Sequence, residues 1–449
     1  MTTTEQTRST AWEQAGEEVL DHLRALLRLD TRNPPGNELR AATYLRMVLE
    51  GEGIESEIVG PSTDRATIVA RIRGDGSQRP LLLMSHTDVV AVEPDKWSHD
   101  PFGGQITDGW LYGRGALDMK HMVAMELQTM LLLKRRGVPL KRDVIFMAAA
   151  DEEVGGHDGA GWVVHNRPDL IDAEYALNEG GGAGMEINGR KYYTVQTAEK
   201  GTARFRLRTR GRPGHGSIPH DDNAILKLAM KLLRLQTERT PVHLNSTVRA
   251  YIEGIAAAQP EDIQTQLRAV LDPTRADEAL DAVQLDDNFK QSLRAVIRNT
   301  VSPTMLAAGS QINVIPSVAE ASLDGRILPG WTPATFQGEL EAILGDDIEI
   351  EFIQPSEPLE FDPEGPMLDT IRAVLAERDP EASVVPKMLT GATDAKHVAQ
   401  LGTRVYGFAP GLYSGPGEWN RIHGHDERIA VDSLRWGART LYEVVEHFA

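Results

Sequence analysis

An α/β fold carrying a smaller inserted α+β module is the class this sequence predicts, and three observations predict it. Three apolar runs, at residues 81–84, 144–150 and 173–177, are separated by helical patterns, as strands buried on both faces are. Each run ends in polar residues able to carry chemistry: His86-Thr87-Asp88, Asp151-Glu152-Glu153 and Asn178-Glu179. From about residue 198 the texture turns to alternation, Ala203, Phe205 and Leu207 against Arg204, Arg206 and Arg208, the pattern of a sheet with one wet face.

In chain order, residues 11–29 show helical periodicity (Val19, Leu20, Leu23, Leu26, Leu27), which the prolines of the 30–38 segment break. A second amphipathic helix over 39–52 leads to strands near 54–59 and 67–72, and then to the run ending at His86. Residues 91–108 read as loop. After Gly113-Arg114-Gly115, Asp118 opens a helical pattern that runs through Leu133, with a Met-rich, core-facing stretch from Met119 to Met130. A short helix at 161–166 separates the second and third apolar runs. The inserted module reads as strand 202–208, helix 223–237, a charged helical stretch 262–299, strands 311–316 and 319–328, helix 333–344 and strand 348–353. The first domain resumes with helix 366–377, strands 384–389 and 404–408, a Gly/Pro-rich loop at 409–419 and a terminal helix 431–448. Domain boundaries are therefore expected at 1–198, 199–355 and 356–449, in keeping with a 449-residue chain too long for one core.

Composition excludes several classes. With 47 basic and 66 acidic residues the net charge is −19, which argues against sequence-independent nucleic-acid binding and against adhesion to anionic membranes. There is no cysteine, so disulfides, thiolate metal sites and cysteine nucleophiles are ruled out. The polar stretch 1–10 has no apolar core of a secretory signal, and no window approaches the ~20 apolar residues of a membrane span. A cytoplasmic protein is expected.

The strand ends supply the candidate site. His86 and Asp88, two apart in extended backbone, leave the same face, so the carboxylate is placed to orient the ring; a solvated strand terminus is the plain alternative. Asp118 reads equally as a helix N-cap or as a bridging ligand, and Glu152-Glu153 as a solvated turn or as ligands. In open α/β sheets ligands bind beyond the strands' carboxyl ends, and the recurrence of acids there favours one shared site. Candidate ligands are His86, Asp118, Glu153, Glu179 and one of His423 and His425, a set suited to two divalent ions such as zinc, cobalt or manganese. Glu152, beside a ligand and itself spare, suits a general base.

These motifs, in this order and with the Asn33-Pro34-Pro35-Gly36-Asn37-Glu38 loop, resemble the co-catalytic zinc family of aminoacylases, acetylornithine and succinyl-diaminopimelate deacylases, glutamate carboxypeptidases and carnosinase-like dipeptidases. The resemblance implies a mixed-sheet zinc-peptidase domain with helices on both faces and a ferredoxin-like lid that dimerises. It implies that His86 and Glu179 bind one ion and Glu153 and a late histidine the other, with Asp118 bridging, Asp88 orienting His86 and Glu152 as base. The family's spacing to a following Asp-Glu pair selects His423, and a cis peptide is implied at Asp118-Met119. In the lid, Gly214-His215-Gly216-Ser217 matches an oxyanion-stabilising histidine, and Asn313 and Arg326 match positions binding the substrate's carbonyl and carboxylate. Gly391, Thr393 and Asp394 match a substrate-side loop. The implied activity is hydrolysis of an amide bond beside a free carboxylate, on an N-acyl amino acid or short peptide. Two rival classes are a non-catalytic binder, which would have lost Glu152 or a ligand, and a two-metal phosphoesterase, which would want a basic cluster at the strand ends.

Overall fold

The computed structural model describes residues 3–449, with side chains from Ala11 onward. The chain forms two compact units. One is built from the two ends of the chain, up to Thr197 and then Pro363–Val385 and Thr393–Ala449; the other comprises Ala198–Asp362 with Pro386–Ala392.

In the first unit the sheet runs Ser56–Val59, Thr67–Ile72, Val144–Ala149, Leu81–His86, Tyr175–Asn178, Arg404–Gly407, Arg190–Glu199. The four strands from Val144–Ala149 to Arg404–Gly407 are mutually parallel and the outer ones antiparallel, so the sheet is mixed. Every residue of Leu81–His86 and Val144–Ala149 is buried, which is why these segments read as unbroken apolar runs. Pairing of His86 with Ala149 brings the ends of these two strands level. The helix Lys120–Arg136 packs against both strands, and Thr3–Leu27 and Val431–Phe448 pack on that helix. Its residues 120–133 are all buried, so it shows no polar stripe. It stops at Gly137, whose left-handed φ of 59° is easiest for glycine. No helix of the described residues is long and apolar enough to cross a membrane.

The second unit has the strand-helix-strand-strand-helix-strand order of a ferredoxin-like module. Its strands lie in the order Glu349–Phe352, Phe205–Arg210, Val318–Ile327, Thr300–Ala308, all antiparallel. The alternating residues Phe205, Leu207, Ala319, Ala321 and Leu323 face a core completed by Phe336, Leu340 and Leu228 from the helices Pro333–Leu344 and Ala224–Thr237.

Three segments differ from the sequence reading. The second strand of the module is Thr300–Ala308, whereas the expected 311–316 strand shrinks to a two-residue pairing of Val314–Ile315 with Gly214–His215. Thr300–Ala308 is an exposed edge strand and so lacks the apolar alternation that would announce it. The charged stretch is three helices, Glu261–Ala269, Ala276–Ala282 and Asp287–Val296, and a further helix, Ser246–Ala257, precedes them. Finally, Gly184–Ile187 and Arg190–Glu199 form a hairpin where no strand was expected, turned by Asn188 and Gly189, both at positive φ.

Phe336 is fully buried against Phe205 and Phe352. Phe336→Ala is expected to destabilise the second unit by about 3–5 kcal/mol, read as a lowered urea midpoint by circular dichroism.

Candidate metal centre

Asp88 organises the site. Its carboxylate is shut off from solvent and accepts hydrogen bonds from the backbone N–H groups of Glu152 (3.1 Å) and Glu153 (3.1 Å) and from the Asn33 side chain (2.9 Å). His86 Nδ1 donates to the Asp88 carbonyl at 3.1 Å, with the carboxylate 3.4 Å away. That contact aims the opposite nitrogen, Nε2, toward Asp118 and Glu179, where it is free to ligate an ion. Asn33 is gripped in turn by Arg65 (2.7 Å), which also pairs with buried Glu38 (2.7 Å).

Asp118 lies between the two histidines. One carboxylate oxygen is 3.0 Å from His86 Nε2 and the other 3.1 Å from His423 Nε2. The helix after it is capped at Met119, with no side-chain cap, so the N-cap alternative for Asp118 falls away. The Asp118–Met119 peptide is cis. Buried Glu427 accepts the N–H groups of Leu117 (2.7 Å) and Asp118 (3.1 Å) and pairs with buried Arg114 (2.5 Å), fixing the backbone that presents the carboxylate.

The 3₁₀ turn Glu152–Val154 follows Asp151, which takes a left-handed φ of 72°. Glu153 reaches 3.1 Å from His423 Nε2, and Glu179 reaches 3.9 Å from His86 Nε2. Donor atoms of His86, Glu152 and Glu179 lie within 4.8 Å of one another, as do those of His86, Asp118 and Glu153. His425 points elsewhere, pairing with Glu93 at 3.0 Å. The structure thus brings together His86, Asp118, Glu152, Glu153, Glu179 and His423.

Charge balance shows what this array suits. Burial, with Glu179 adding to it, pushes Glu152 well above the usual carboxylate range. Burial raises Glu153 too, and it carries Glu179, with Asp118 alongside, up to about 8. Asp118 goes the other way: burial opposes its charge, but the hydrogen bonds from His423 and His86 prevail and lower it. Hydrogen bonds to Asp118 and Glu153 lift His423 to about 10. Four carboxylates outnumber two imidazoles, so the array carries protons that cations would displace, leaving it net negative around them, and Glu153 Oε1 is buried with no hydrogen-bond partner among the described residues. A pair of divalent cations matches both the donor types and the charge.

In the second unit, His215 and Asn313 are neighbours: His215 pairs with Val314, and the Gly216 N–H donates to the Asn313 carbonyl at 2.7 Å. The backbone N–H of Ser217 donates to His215 Nδ1 (3.2 Å), which leaves Nε2 to carry the proton of the neutral ring. Arg326 lies apart from them, on the strand Val318–Ile327, paired with Asp324. Gly391 lies in the loop after Ser383–Leu389. Thr393 is turned inward, its hydroxyl accepting from the Asn178 side chain at 3.1 Å, and Asp394 is buried with Oδ1 unpartnered.

The supporting groups Asn33, Arg65, Glu427 and Arg114 were not assigned roles from the sequence. Glu427 and Arg114 left a trace there, as charged residues flanking candidate ligands; Arg65, in a turn-rich loop, left none.

The model of peptidase family M20/M25/M40 matches residues 82–447, a span holding every candidate ligand from His86 to His423. The chain belongs to peptidase family M20/M25/M40. Membership makes this M20 protein a metallohydrolase acting on amide bonds. Among its relatives, the N-fatty-acyl-amino acid synthase/hydrolase PM20D1.1 of Danio rerio is 29% identical over 391 residues, 85% of this chain and 74% of that protein. Aminoacylase-1 of Sus scrofa is 28% identical over 358 residues, 78% of this chain and 75% of that protein. The M20 fold is shared with the metallo-carboxypeptidase Sso-CP2 of Sulfolobus solfataricus, at a TM-score of 0.68 and 18% identity, covering 96% of this chain and 99% of that one.

Because His423 holds a proton below a pKa of about 10, a cation entering this M20 site must displace it. Divalent-metal affinity is therefore expected to rise with pH between 6 and 8, by up to about tenfold per unit for each proton displaced. Calorimetry of zinc binding in buffers of different ionisation enthalpy should register the released proton; metal uptake with no proton release would contradict the arrangement.

Proposed function

We propose that this protein hydrolyses the amide bond of N-acyl amino acids, with carboxypeptidase or dipeptidase action on short peptides as the neighbouring reading. The observation carrying it is Glu152, held beside His86 and Glu179 within 4.8 Å while making no ion pair of its own among the described residues. Its backbone is pinned by Asp88, so the carboxylate is fixed at the edge of the cluster. The relatives named N-fatty-acyl-amino acid synthase/hydrolase and aminoacylase-1, at 29% and 28% identity, support the acyl amino acid reading, and a probable carboxypeptidase S-like 2 of Dictyostelium discoideum at 26% supports the neighbouring one.

In this reading His86 and Glu179 would hold one ion and Glu153 and His423 the other, with Asp118 shared between them. Zinc is the metal we assign, with cobalt or manganese able to use the same donors. When bound, the ions would polarise the scissile carbonyl and lower the pKa of an attacking water toward ~7. Glu152 takes that water's proton and hands it to the leaving amine. Burial and its acidic neighbours raise the affinity of Glu152 for a proton, which suits an acceptor that must hold one between two steps. His215, with its proton on Nε2, donates to the developing oxyanion. Asn313 beside it meets the carbonyl, and Arg326 binds the free carboxylate of the substrate. Gly391 and Thr393 line the substrate side of the site, with the Asn178 amide donating to the Thr393 hydroxyl.

We further propose a homodimer through the lid. The edge strand Thr300–Ala308 exposes Met305 and Leu306, and the helix Ala224–Thr237 exposes Leu226, Met230 and Leu233. An unpaired apolar edge and an apolar helix face are what a second copy would cover.

Glu152→Gln is expected to keep its metal content and lose at least about a thousandfold in kcat, measured on an N-acetyl amino acid, a long-chain N-acyl amino acid and a dipeptide after loading with zinc, cobalt or manganese. Parent-like turnover by this variant would remove Glu152 from the mechanism. Leu306→Asp combined with Met230→Asp should run as a folded monomer in light scattering while the parent runs as a dimer.

A further inference from the structure

Arg326 is held in a way that bears on substrate selection. The strand Val318–Ile327 alternates strictly between buried and half-buried residues, so Asp324 and Arg326, two apart, stand side by side on its solvent face. The residue between them, Gly325, faces the core, where a Cβ would lie 2.2 Å from the Ala203 carbonyl oxygen. The Asp-Gly-Arg triplet is therefore locked with both charged side chains outward.

The contact between them is side-on. Arg326 Nε donates to Asp324 Oδ1 at 2.6 Å and Nη2 to Oδ2 at 3.2 Å, two parallel bonds to the flank of the guanidinium. Among the described residues Nη1 has no acceptor, and the side chain is 22% exposed. The far end of the fork, Nη1 with the second hydrogen of Nη2, is thus left without a partner. The surroundings are cationic. Arg204 Nε lies 3.6 Å from Asp324 Oδ2. The fully buried Lys200 donates to the Arg298 carbonyl and the Thr300 hydroxyl, and no acid is paired with it among the described residues. Arg298 itself is tied to Asp277. One carboxylate, Asp324, thus faces two guanidinium groups, Arg204 and Arg326, and the locus can accept a second.

We propose that Asp324 is the positioning residue for carboxylate recognition: it clamps the flank of Arg326 so that the guanidinium presents its free end, already oriented, to the carboxylate of an acyl amino acid. This rests on the reading of Arg326 as the carboxylate anchor. A flank-on clamp removes rotamer freedom before substrate arrives, so its benefit falls on binding and leaves the chemical step unchanged. It also gives the acid an advantage over its C-terminal amide, since the amide offers no second anion to the fork.

The test uses the full-length, zinc-loaded protein with an N-acetyl amino acid and with the same compound as its C-terminal amide. Asp324→Asn is expected to raise KM for the acid about tenfold while kcat stays within about twofold, and to leave kcat/KM for the amide unchanged. Asp324→Glu, which keeps the charge on a longer arm, should move KM in the same direction by a smaller factor, and it serves if the asparagine variant does not fold. Arg326→Ala is run alongside. If it raises KM while both Asp324 variants leave KM at the parent value, the clamp is refuted and the anchor stands. If Arg326→Ala leaves KM unchanged, the anchor itself is refuted and the clamp with it. A drop in melting temperature of the Asp324 variants with KM unaltered would mark an ordinary structural ion pair and likewise overturn the proposal.

Discussion

One buried carboxylate sets the geometry of the metal centre. Asp88 receives the N–H groups of Glu152 and Glu153, the amide of Asn33 and, through its own carbonyl, the ring of His86. Three segments far apart in the chain are therefore fixed to one another through a single side chain. Its charge is stabilised by donors that are themselves anchored: Asn33 by Arg65, the acidic turn by the end of its strand. Removing one partner of such a buried network leaves the others unsatisfied, which costs far more than a surface contact would.

A second fixed point lies at the backbone that presents Asp118. Glu427 holds the backbone at Leu117 and Asp118 while Arg114 neutralises it in the interior. The two fixed points make the difference between acids that happen to be near one another and acids held close against their mutual repulsion. Burial, with that repulsion added to it, raises the proton affinity of Glu152, Glu153 and Glu179, and the same crowding of acids is what would draw cations in.

Much of this was legible in the sequence because function and fold used the same signal. Parallel strands buried on both faces read as apolar runs, and the polar residues ending them had to be the ones at the sheet's carboxyl edge. Likewise Phe205 and Leu207 alternate with arginines because the module's sheet has one wet face, and Val431–Phe448 came through with its bounds intact. What stayed hidden has two causes. The edge strand Thr300–Ala308 has no buried face to impose alternation, whereas Ser246–Ala257 buries Val248, Tyr251, Ile252 and Ile255 at helical spacing, a signal that the sequence carries and the expectation missed. Arg65 carries no local mark at all; its partners Asn33, Glu38 and Asp151 are 27 or more residues away. The same holds for the inward turn of Thr393, which depends on Asn178, a residue more than two hundred positions earlier.

The strand Arg404–Gly407 sits between Tyr175–Asn178 and Arg190–Glu199, although it is made long after both. A growing polypeptide therefore carries a gap in the middle of its sheet, bordered by two bare rows of amide and carbonyl groups, while residues 200–403 are made. Such rows invite stray β-pairing. His423 emerges later still, so the cluster it completes with Asp118 and Glu153 closes only in the finished molecule, and a truncation ahead of residue 404 would yield a sticky fragment in place of a weaker enzyme.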